Sequence, residues 1–209
     1  MEDYTSDHGK PSKRILSMFE IIESFVLAIV CVILVFVFFA KLSIVEGESM
    51  EDTLFEGDAL VVGNVLFSYT PDKEDIVIIH GNLNYSVRDN TGKYVQLNFS
   101  DPIVKRVIAT EGDLVEIRSD FKVYVNGQKV NDDHGTAVAT SYYIDPDNYF
   151  LEYDKSTMTY HGTVPKDHVF VLGDNRGNSL DSRAFGFIHE KLILGKAIFR
   201  LNRDFGSIK

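Results

Sequence analysis

Residues 103–108 read Ile-Val-Lys-Arg-Val-Ile, a short β-branched stretch with two cations at its centre. β-Branched residues favour strands, and successive side chains of a strand point to opposite faces. Ile103, Lys105 and Val107 therefore share one face, so Lys105 has apolar neighbours on its own side. Most lysines in such strands reach solvent at an edge, whereas burial would lower the pKa of the amine. The stretch predicts a strand that carries a candidate neutral lysine.

Five further stretches are rich in β-branched or aromatic residues and are bounded by Gly, Asp, Asn or Pro, as strands are. They are Ala59–Val62, Ile76–Ile79, Leu114–Ile117, Val123–Val125 and Val169–Leu172. Asn126-Gly127, just after Val125, is the residue pair preferred in a two-residue hairpin turn, because both positions need positive φ. Regular alternation of strands and helices is absent, which disfavours a doubly wound parallel sheet. We expect the soluble part to be mostly β.

A long apolar segment, Ile21–Ala40, precedes the strands, and its portion from residue 25 to 40 carries no charge. About 20 helical residues rise about 30 Å, which is the thickness of a hydrocarbon core. No small-residue cleavage pattern follows directly, so an uncleaved anchor is favoured over a removed secretory signal. A buried core helix is disfavoured, because the segment has no polar face.

The charges that flank this segment predict its orientation. Lys10, Lys13 and Arg14 precede it, whereas only Lys41 closes it before a run of acidic residues. The positive-inside rule then places the N-terminus in the cytoplasm. We expect a cytoplasmic tail at 1–20, a transmembrane helix at 21–41 and an extracytoplasmic domain at 42–209, with a β-rich insertion at about 113–165. This single-pass topology predicts residence in the plasma membrane.

Composition excludes several classes of function. The formal net charge is -10, with 31 acidic and 21 basic residues, which excludes a broad nucleic-acid surface because phosphate binding needs clustered cations. The single cysteine, Cys31, lies in the apolar segment, so no disulfide framework is expected. The six histidines lack metal-ligand spacing, and we expect neither a metal nor another cofactor.

Ser49 lies about nine residues beyond the apolar segment. A serine hydroxyl is a weak nucleophile and needs an adjacent base. A lysine can be that base only when it is neutral, which requires burial to lower its pKa from about 10.4 to about 7 or 8. Ser49 and Lys105 are therefore a candidate nucleophile and general base.

Three stretches, in this order and spacing, resemble the motifs of bacterial type I signal peptidases, also called leader peptidases. They are residues 47–54, residues 104–108 with 111–113, and residues 173–186, which read Gly-Asp-Asn-Arg-Gly-Asn-Ser-Leu-Asp-Ser-Arg-Ala-Phe-Gly. The resemblance implies a membrane-anchored, mostly β catalytic domain that acts as a serine endopeptidase. In that family Ser49 matches the nucleophile, Lys105 the general base and Ser179 a hydroxyl that orients the lysine.

The resemblance also implies the surroundings of the site. The backbone N–H of Ser49 would contribute to an oxyanion hole. Four charged residues match a structural network beside the site: Asp174, Arg176, Asp181 and Arg183. The implied substrates are secretory preproteins, cut after Ala-x-Ala at the bilayer surface and close to the secretion translocon. Four apolar residues are candidates for the substrate pocket, although core packing explains each equally simply: Val45, Leu54, Ile103 and Val104.

Four departures from the family pattern stand out. Gly47 replaces a hydroxyl that some members carry, and Asp52 stands where proline is usual. Glu74 replaces a common glycine, and Ala109-Thr110-Glu111-Gly112 stands for the usual Gly-Leu-Pro-Gly. Each departure alters a turn rather than removing a reacting atom. Gly47, together with the single short anchor, indicates the Gram-positive branch of the family.

Two other classes of function remain open at this point. One is a non-catalytic or dedicated signal-peptidase-like assembly factor for surface polymers, against which Lys105 and Ser179 argue. The other is a self-cleaving regulator of the repressor type, against which the anchor and the acidic charge argue. Ala137-Val138-Ala139 is itself an Ala-x-Ala sequence, which suggests the hypothesis that one molecule cuts another after Ala139. Absence of a fragment beginning at Thr140 from stored protein, measured by intact mass, would exclude it.

Overall fold

The structure, a computed structural model, describes residues 13–64, 69–88, 94–120, 122–130, 151–203 and 205–208. It has two compact units, one ending at Phe39 and the other beginning at Ala40. Three parts of the sequence interpretation lie outside the described residues: the first twelve residues of the expected tail, the Ala137-Val138-Ala139 sequence and the centre of the expected insertion.

The described part of the first unit is one helix, α1, which spans Lys13–Phe38. Its segment Ser17–Leu34 is long and apolar enough to cross a bilayer, and none of that segment is buried. The helix begins before the predicted boundary at residue 21 and ends three residues before residue 41 (41 − 38 = 3). Ala40 and Lys41 belong instead to a strand, because they pair with the next strand of the second unit.

The described part of the second unit is mostly β, which confirms the predicted fold class. Its strands are β1 (Ala40–Ile44), β2 (Ala59–Asn64), β3 (Ile76–Ile79), β4 (Leu83–Arg88), β5 (Tyr94–Phe99), β6 (Ile103–Thr110), β7 (Leu114–Ile117), β8 (Val123–Val125), β9 (Gln128–Lys129), β10 (Glu152–Asp154), β11 (Thr159–Thr163), β12 (His168–Leu172), β13 (Ile188–His189), β14 (Ile193–Arg200) and β15 (Gly206–Ser207). A short helix, α2, spans Ser182–Phe185, and a 3₁₀ turn spans Glu190–Leu192.

The strands form antiparallel sheets. Eight make one sheet in the order β1-β2-β14-β3-β6-β12-β13, with β15 beside β14. Five make a second sheet in the order β10-β11-β7-β8-β9, and β4 pairs with β5. All six predicted strands are present, and β7 to β11 fall within the range predicted for a β-rich insertion. Asn126 and Gly127 have φ of 51° and 78° between the paired Val125 and Gln128, which confirms the predicted hairpin turn.

Three clusters of buried apolar side chains hold the sheets and the connecting loops together. One packs β6 and β12 against the second sheet, and includes Phe170 and Val115. Another lies between β3, β6 and β12, and includes Val107. The third packs Met50 and Leu54, from the loop between β1 and β2, against β2 and β3. Each such side chain contributes about 1.5–3 kcal/mol, so this loop is anchored to the sheet.

Glu74, just before β3, adopts φ of 72°, where a Cβ is unfavourable. We therefore expect Glu74→Gly to be more stable than Glu74→Ala by about 1 kcal/mol. Both substitutions remove the same exposed carboxylate, which lies 3.7 Å from Arg106, so their difference isolates the backbone term. Urea unfolding of the two variants measures it. Equal midpoints would show that this turn carries no strain.

Candidate active site

Ser49 lies in the loop between β1 and β2. A backbone hydrogen bond of 2.9 Å, from the Val45 N–H to the Asp58 carbonyl oxygen, closes the base of this loop. Within the loop, the Leu54 N–H donates to the Met50 carbonyl oxygen at 2.8 Å, and both of these side chains are buried. Ser49 itself is half-buried. Its position is thus set by apolar anchors that follow it in the chain.

Lys105 lies in β6 and is only 2% exposed. Its Nζ donates hydrogen bonds to the Ser49 Oγ at 2.7 Å and to the Val104 carbonyl oxygen at 2.9 Å. The apolar face predicted for this strand is confirmed, because Ile103 and Val107 belong to one buried cluster. The structure therefore brings together the two residues that the sequence singled out, which are 56 positions apart.

Burial lowers the pKa of the Lys105 amine from 10.5 to about 8. The negative charges of Asp181 and Asp174 oppose this shift, and the positive charge of Arg183 adds to it. Desolvation dominates because the ammonium loses its hydration while the charged neighbours largely offset one another. The amine is therefore partly neutral near neutral pH, as a lysine base requires.

The lowered pKa of Lys105 has a cost in stability. The unfolded chain binds this proton more tightly than the folded chain, so the cost is fully present below pH 8 and disappears above pH 10.5. We expect Lys105→Met to gain about 3 kcal/mol of unfolding free energy over the wild type at pH 7 relative to pH 10.5. Denaturant unfolding across this pH range measures the difference.

The matched control is Lys155→Met, which removes an exposed lysine. Its stability relative to the wild type should be nearly constant across the same pH range. A constant difference for Lys105→Met as well would contradict the assigned shift.

Ser179, expected to orient Lys105, is buried close to Gly173 and the Ser49 loop. A Cβ on Gly173 would lie 2.1 Å from the Ser179 Oγ and 2.5 Å from the Ser49 carbonyl oxygen, so only glycine allows this approach. The Ser179 Oγ makes no hydrogen bond of normal geometry within the described part of the chain. The predicted bond from Ser179 to Lys105 is therefore not observed, and the orienting role stays a prediction.

The predicted charged residues of the loop after β12 are all buried. Arg183 holds both carboxylate oxygens of Asp181, through its Nε and Nη2, at 2.8 Å each. Burial disfavours the charged carboxylate, but Arg183, the backbone N–H of Gly173 and the nearby Ser179 hydroxyl together hold the pKa of Asp181 below its usual value. The Arg176 Nε donates to the Gly173 carbonyl oxygen at 2.8 Å. These contacts fix the loop internally.

Asp174 has a partner that the sequence interpretation did not include. Arg106 of β6 binds its two carboxylate oxygens at 2.9 and 2.8 Å, and both side chains are buried. The same guanidinium donates to the Glu74 carbonyl oxygen at 3.0 Å and lies 3.4 Å from the Thr53 Oγ1. Arg106 thus links β6, the Ser49 loop and the loop after β12. An arginine inside an otherwise apolar strand was the available signal.

A groove of about 520 Å³ opens beside Ser49 and Lys105. Three of the four predicted pocket residues line it, namely Val45, Ile103 and Val104. Leu54 does not, because it is completely buried in the core. Further apolar lining comes from residues that the sequence interpretation did not single out: Phe99, Pro102, Leu180 and Phe185. Among the described residues, no group of histidine, cysteine or acidic side chains is arranged to hold a metal ion.

Two departures around Ser49 have a visible backbone consequence. Gly47 adopts φ of 84° and Asp52 adopts φ of 83°. The ring of proline fixes φ near −65°, so proline does not fit at position 52 in this backbone. The Ser49 loop has therefore a different turn from one built around proline, and Asp52 occupies a left-handed conformation that aspartate tolerates better than most residues.

The fold and the site define a class of protein. A β-sheet domain that holds a serine hydroxyl against a buried amine, beside an open apolar groove, has the organisation of a serine hydrolase with a Ser–Lys pair.

Comparison with known proteins assigns the family. The profile of the family described as signal peptidase, peptidase S26, matches residues 18–202. The chain is 33% identical to signal peptidase IB of Staphylococcus aureus strain Mu50, with 88% of each chain covered. It is 32% identical to the probable signal peptidase I-1 of Synechocystis sp., with 87% of this chain and 81% of that protein covered. The protein therefore belongs to the signal peptidase family S26 and is a serine endopeptidase.

A crystal structure of a signal peptidase I from Enterococcus faecalis V583 is also similar, at 30% identity. The match covers 61% of this chain and 97% of that chain, with a TM-score of 0.36. The family assignment rests on the sequence matches.

Proposed function

We propose that this protein removes signal peptides from secretory preproteins by hydrolysing the bond after an Ala-x-Ala sequence. The observation that carries the proposal is the 2.7 Å contact between the hydroxyl of Ser49 and the buried amine of Lys105. Membership of the signal peptidase family supports the substrate class. No finding favours the alternative of a non-catalytic assembly factor. The test is a processing assay with one secretory preprotein, in which the new N-terminus of the product is read by mass spectrometry.

In the first half of the reaction, the neutral Lys105 Nζ accepts the hydroxyl proton of Ser49 as the Oγ attacks the scissile carbonyl carbon. The backbone N–H of Ser49 donates to the oxyanion that forms. The intermediate then collapses with cleavage of the C–N bond. Lys105 gives its proton to the leaving amine, which becomes the N-terminus of the mature protein. The signal peptide is left as an ester on Ser49.

In the second half, water attacks the ester carbonyl carbon and Lys105 takes a proton from that water. Collapse of the second intermediate breaks the bond to the Ser49 Oγ, which recovers the proton from Lys105. The signal peptide leaves with a free carboxyl group. The cycle needs no cofactor, because each proton that Lys105 accepts is returned.

The groove supports binding of an extended peptide with small side chains near the cut. Its apolar walls, including Ile103 and Val104, approach Ser49 closely enough to form shallow subsites. Asp174, Arg176, Asp181 and Arg183 act on this site only by holding the loops in place. Ser179 is assigned the role of orienting the Lys105 amine, which requires its hydroxyl to rotate toward Nζ. Loss of rate in Ser179→Ala with an unchanged thermal midpoint would support that role; an unchanged rate would remove it.

We assign a single-pass topology with the N-terminus in the cytoplasm and residues 42–209 outside. The apolar helix and the basic residues before it support this orientation. It places Ser49 a few residues beyond the bilayer in sequence, where the end of a signal sequence emerges from the translocon. Added protease should digest the second unit from outside intact protoplasts. Protection of that unit until the cells are lysed would contradict the topology.

A further inference from the structure

Three hydrogen bonds from the loop after β12 hold the residues on either side of the Glu48–Ser49 peptide bond. The backbone N–H of Asn175 donates to the Ser49 carbonyl oxygen at 3.1 Å. The Asn175 Nδ2 donates to the Glu48 carbonyl oxygen at 3.1 Å, and the Asn178 Nδ2 donates to the Glu48 Oε2 at 3.0 Å. A backbone bond of 3.0 Å, from the Asn178 N–H to the Asn175 carbonyl oxygen, ties the two asparagines into one turn.

The geometry of the peptide unit turns this attachment into an orienting device. The described peptide bonds are all trans, and a trans peptide unit is planar with its C=O and N–H pointing in opposite directions. The Glu48 carbonyl oxygen accepts from the Asn175 Nδ2 and also from the Glu51 N–H at 3.1 Å. Because this oxygen is held, the direction of the Ser49 N–H is held as well. That N–H is the oxyanion donor in the proposed function.

The side chain of Glu48 supplies a restraint that its neighbour cannot. Gly47 has no side chain to pack and adopts φ of 84°, so the chain before Glu48 is easily rotated. Asn178 holds the carboxylate of Glu48 on the wall of the groove. A peptide bound in the groove shields this bond from water, where a hydrogen bond to a charged acceptor contributes more.

We propose that Glu48 and Asn178 form a clamp that aims the Ser49 N–H at the developing oxyanion. The inference rests on the proposed function and adds two positioning residues to it. Neither side chain exchanges a proton or forms a bond with the substrate. The clamp should therefore act on the transition state and leave the binding of intact substrate nearly unchanged.

The test uses the full-length protein in detergent with a peptide that contains one Ala-x-Ala site. We expect Glu48→Ala and Asn178→Ala each to lower kcat by about 10- to 100-fold, with KM within about twofold of the wild type. The double variant should be no slower than the slower single variant, because both remove the same clamp. Glu48→Gln keeps an acceptor oxygen and should recover most of the rate lost in Glu48→Ala. The control is Glu152→Ala, an exposed glutamate in β10.

A peptide boronate provides a second readout, because its adduct with a serine carries the negative oxygen of the intermediate. Its affinity should fall in the clamp variants by the same factor as kcat/KM. A role limited to folding would lower the thermal midpoint and the fraction of active enzyme without changing boronate affinity in the remaining active sites.

Three outcomes overturn the clamp: a raised KM with unchanged kcat, additive losses in the double variant, or equal losses in Glu48→Gln and Glu48→Ala. Each leaves the proposed function standing if cleavage still depends on Ser49. If Ser49→Ala cleaves the same peptide as fast as the wild type, the proposed function fails first.

Discussion

Ser49→Ala and Lys105→Met are each expected to lower preprotein processing by at least about 10⁴-fold, because each removes one half of a pair that acts as a unit. Without the hydroxyl there is no nucleophile. Without the amine, the hydroxyl 2.7 Å away has no base to accept its proton. Processing is measured with the full-length enzyme in lipid vesicles, by following the appearance of mature protein. The double variant should be no slower than either single variant.

Two controls separate chemistry from folding. Ser43→Ala removes a hydroxyl from β1, and Lys155→Met removes an exposed amine. Both should process at close to the wild-type rate. The inactive variants should retain cooperative unfolding, and Lys105→Met should be the more stable at neutral pH. Full processing by either Ser49→Ala or Lys105→Met would remove the proposed mechanism.

The second large effect is on stability, at Asp174. Asp174→Asn keeps the shape of the side chain but leaves the Arg106 guanidinium, which is 1% exposed, without its carboxylate. Removing one partner of a buried pair typically costs about 3–5 kcal/mol, because the remaining charge stays buried and uncompensated. We expect a loss of that size in denaturant unfolding. Processing should fall as well, because Arg106 also contacts the loop that carries Ser49.

A matched surface pair sets the scale for this loss. Glu116→Gln breaks the pair between Glu116 and the partly exposed Arg118 and should cost less than about 1 kcal/mol. Combining Asp174→Asn with Arg106→Met should be less harmful than the sum of the two single changes, because no unpaired charge remains. A loss at Asp174 no greater than that at Glu116 would show that the buried pair contributes little.

Local patterns predicted those features that depend on neighbours in the chain. The apolar run up to residue 40 predicts a helix of membrane-spanning length, and α1 contains such a segment. β-Branched composition predicts six strands that the structure contains, and Asn126-Gly127 predicts a turn with positive φ. The alternation of side chains placed Lys105 among apolar neighbours. Boundaries were less accurate, since pairing with β2 rather than local preference decides that residues 40 and 41 are strand.

Several features of the site were not predictable from local pattern. The sequence does not show that Arg106 would meet Asp174, 68 positions later, or that Leu54 would be buried in the core rather than exposed in the groove. The hydrogen bonds from Asn175 and Asn178 to Glu48 join residues 127 and 130 positions apart. Strand composition alone also did not reveal β14, although it lies between β2 and β3 in the large sheet.

By itself, the sequence determined the class of fold, the membrane-spanning length of the helix and the two residues on which the proposed chemistry depends. These follow from hydrophobic periodicity and from which side chains can act as a nucleophile or a base. The tertiary structure decided the 2.7 Å contact between Ser49 and Lys105, the burial that lowers the pKa of the amine and the partners of each buried charge. Those properties depend on distance and desolvation, which arise only when strands far apart in the chain pack against one another.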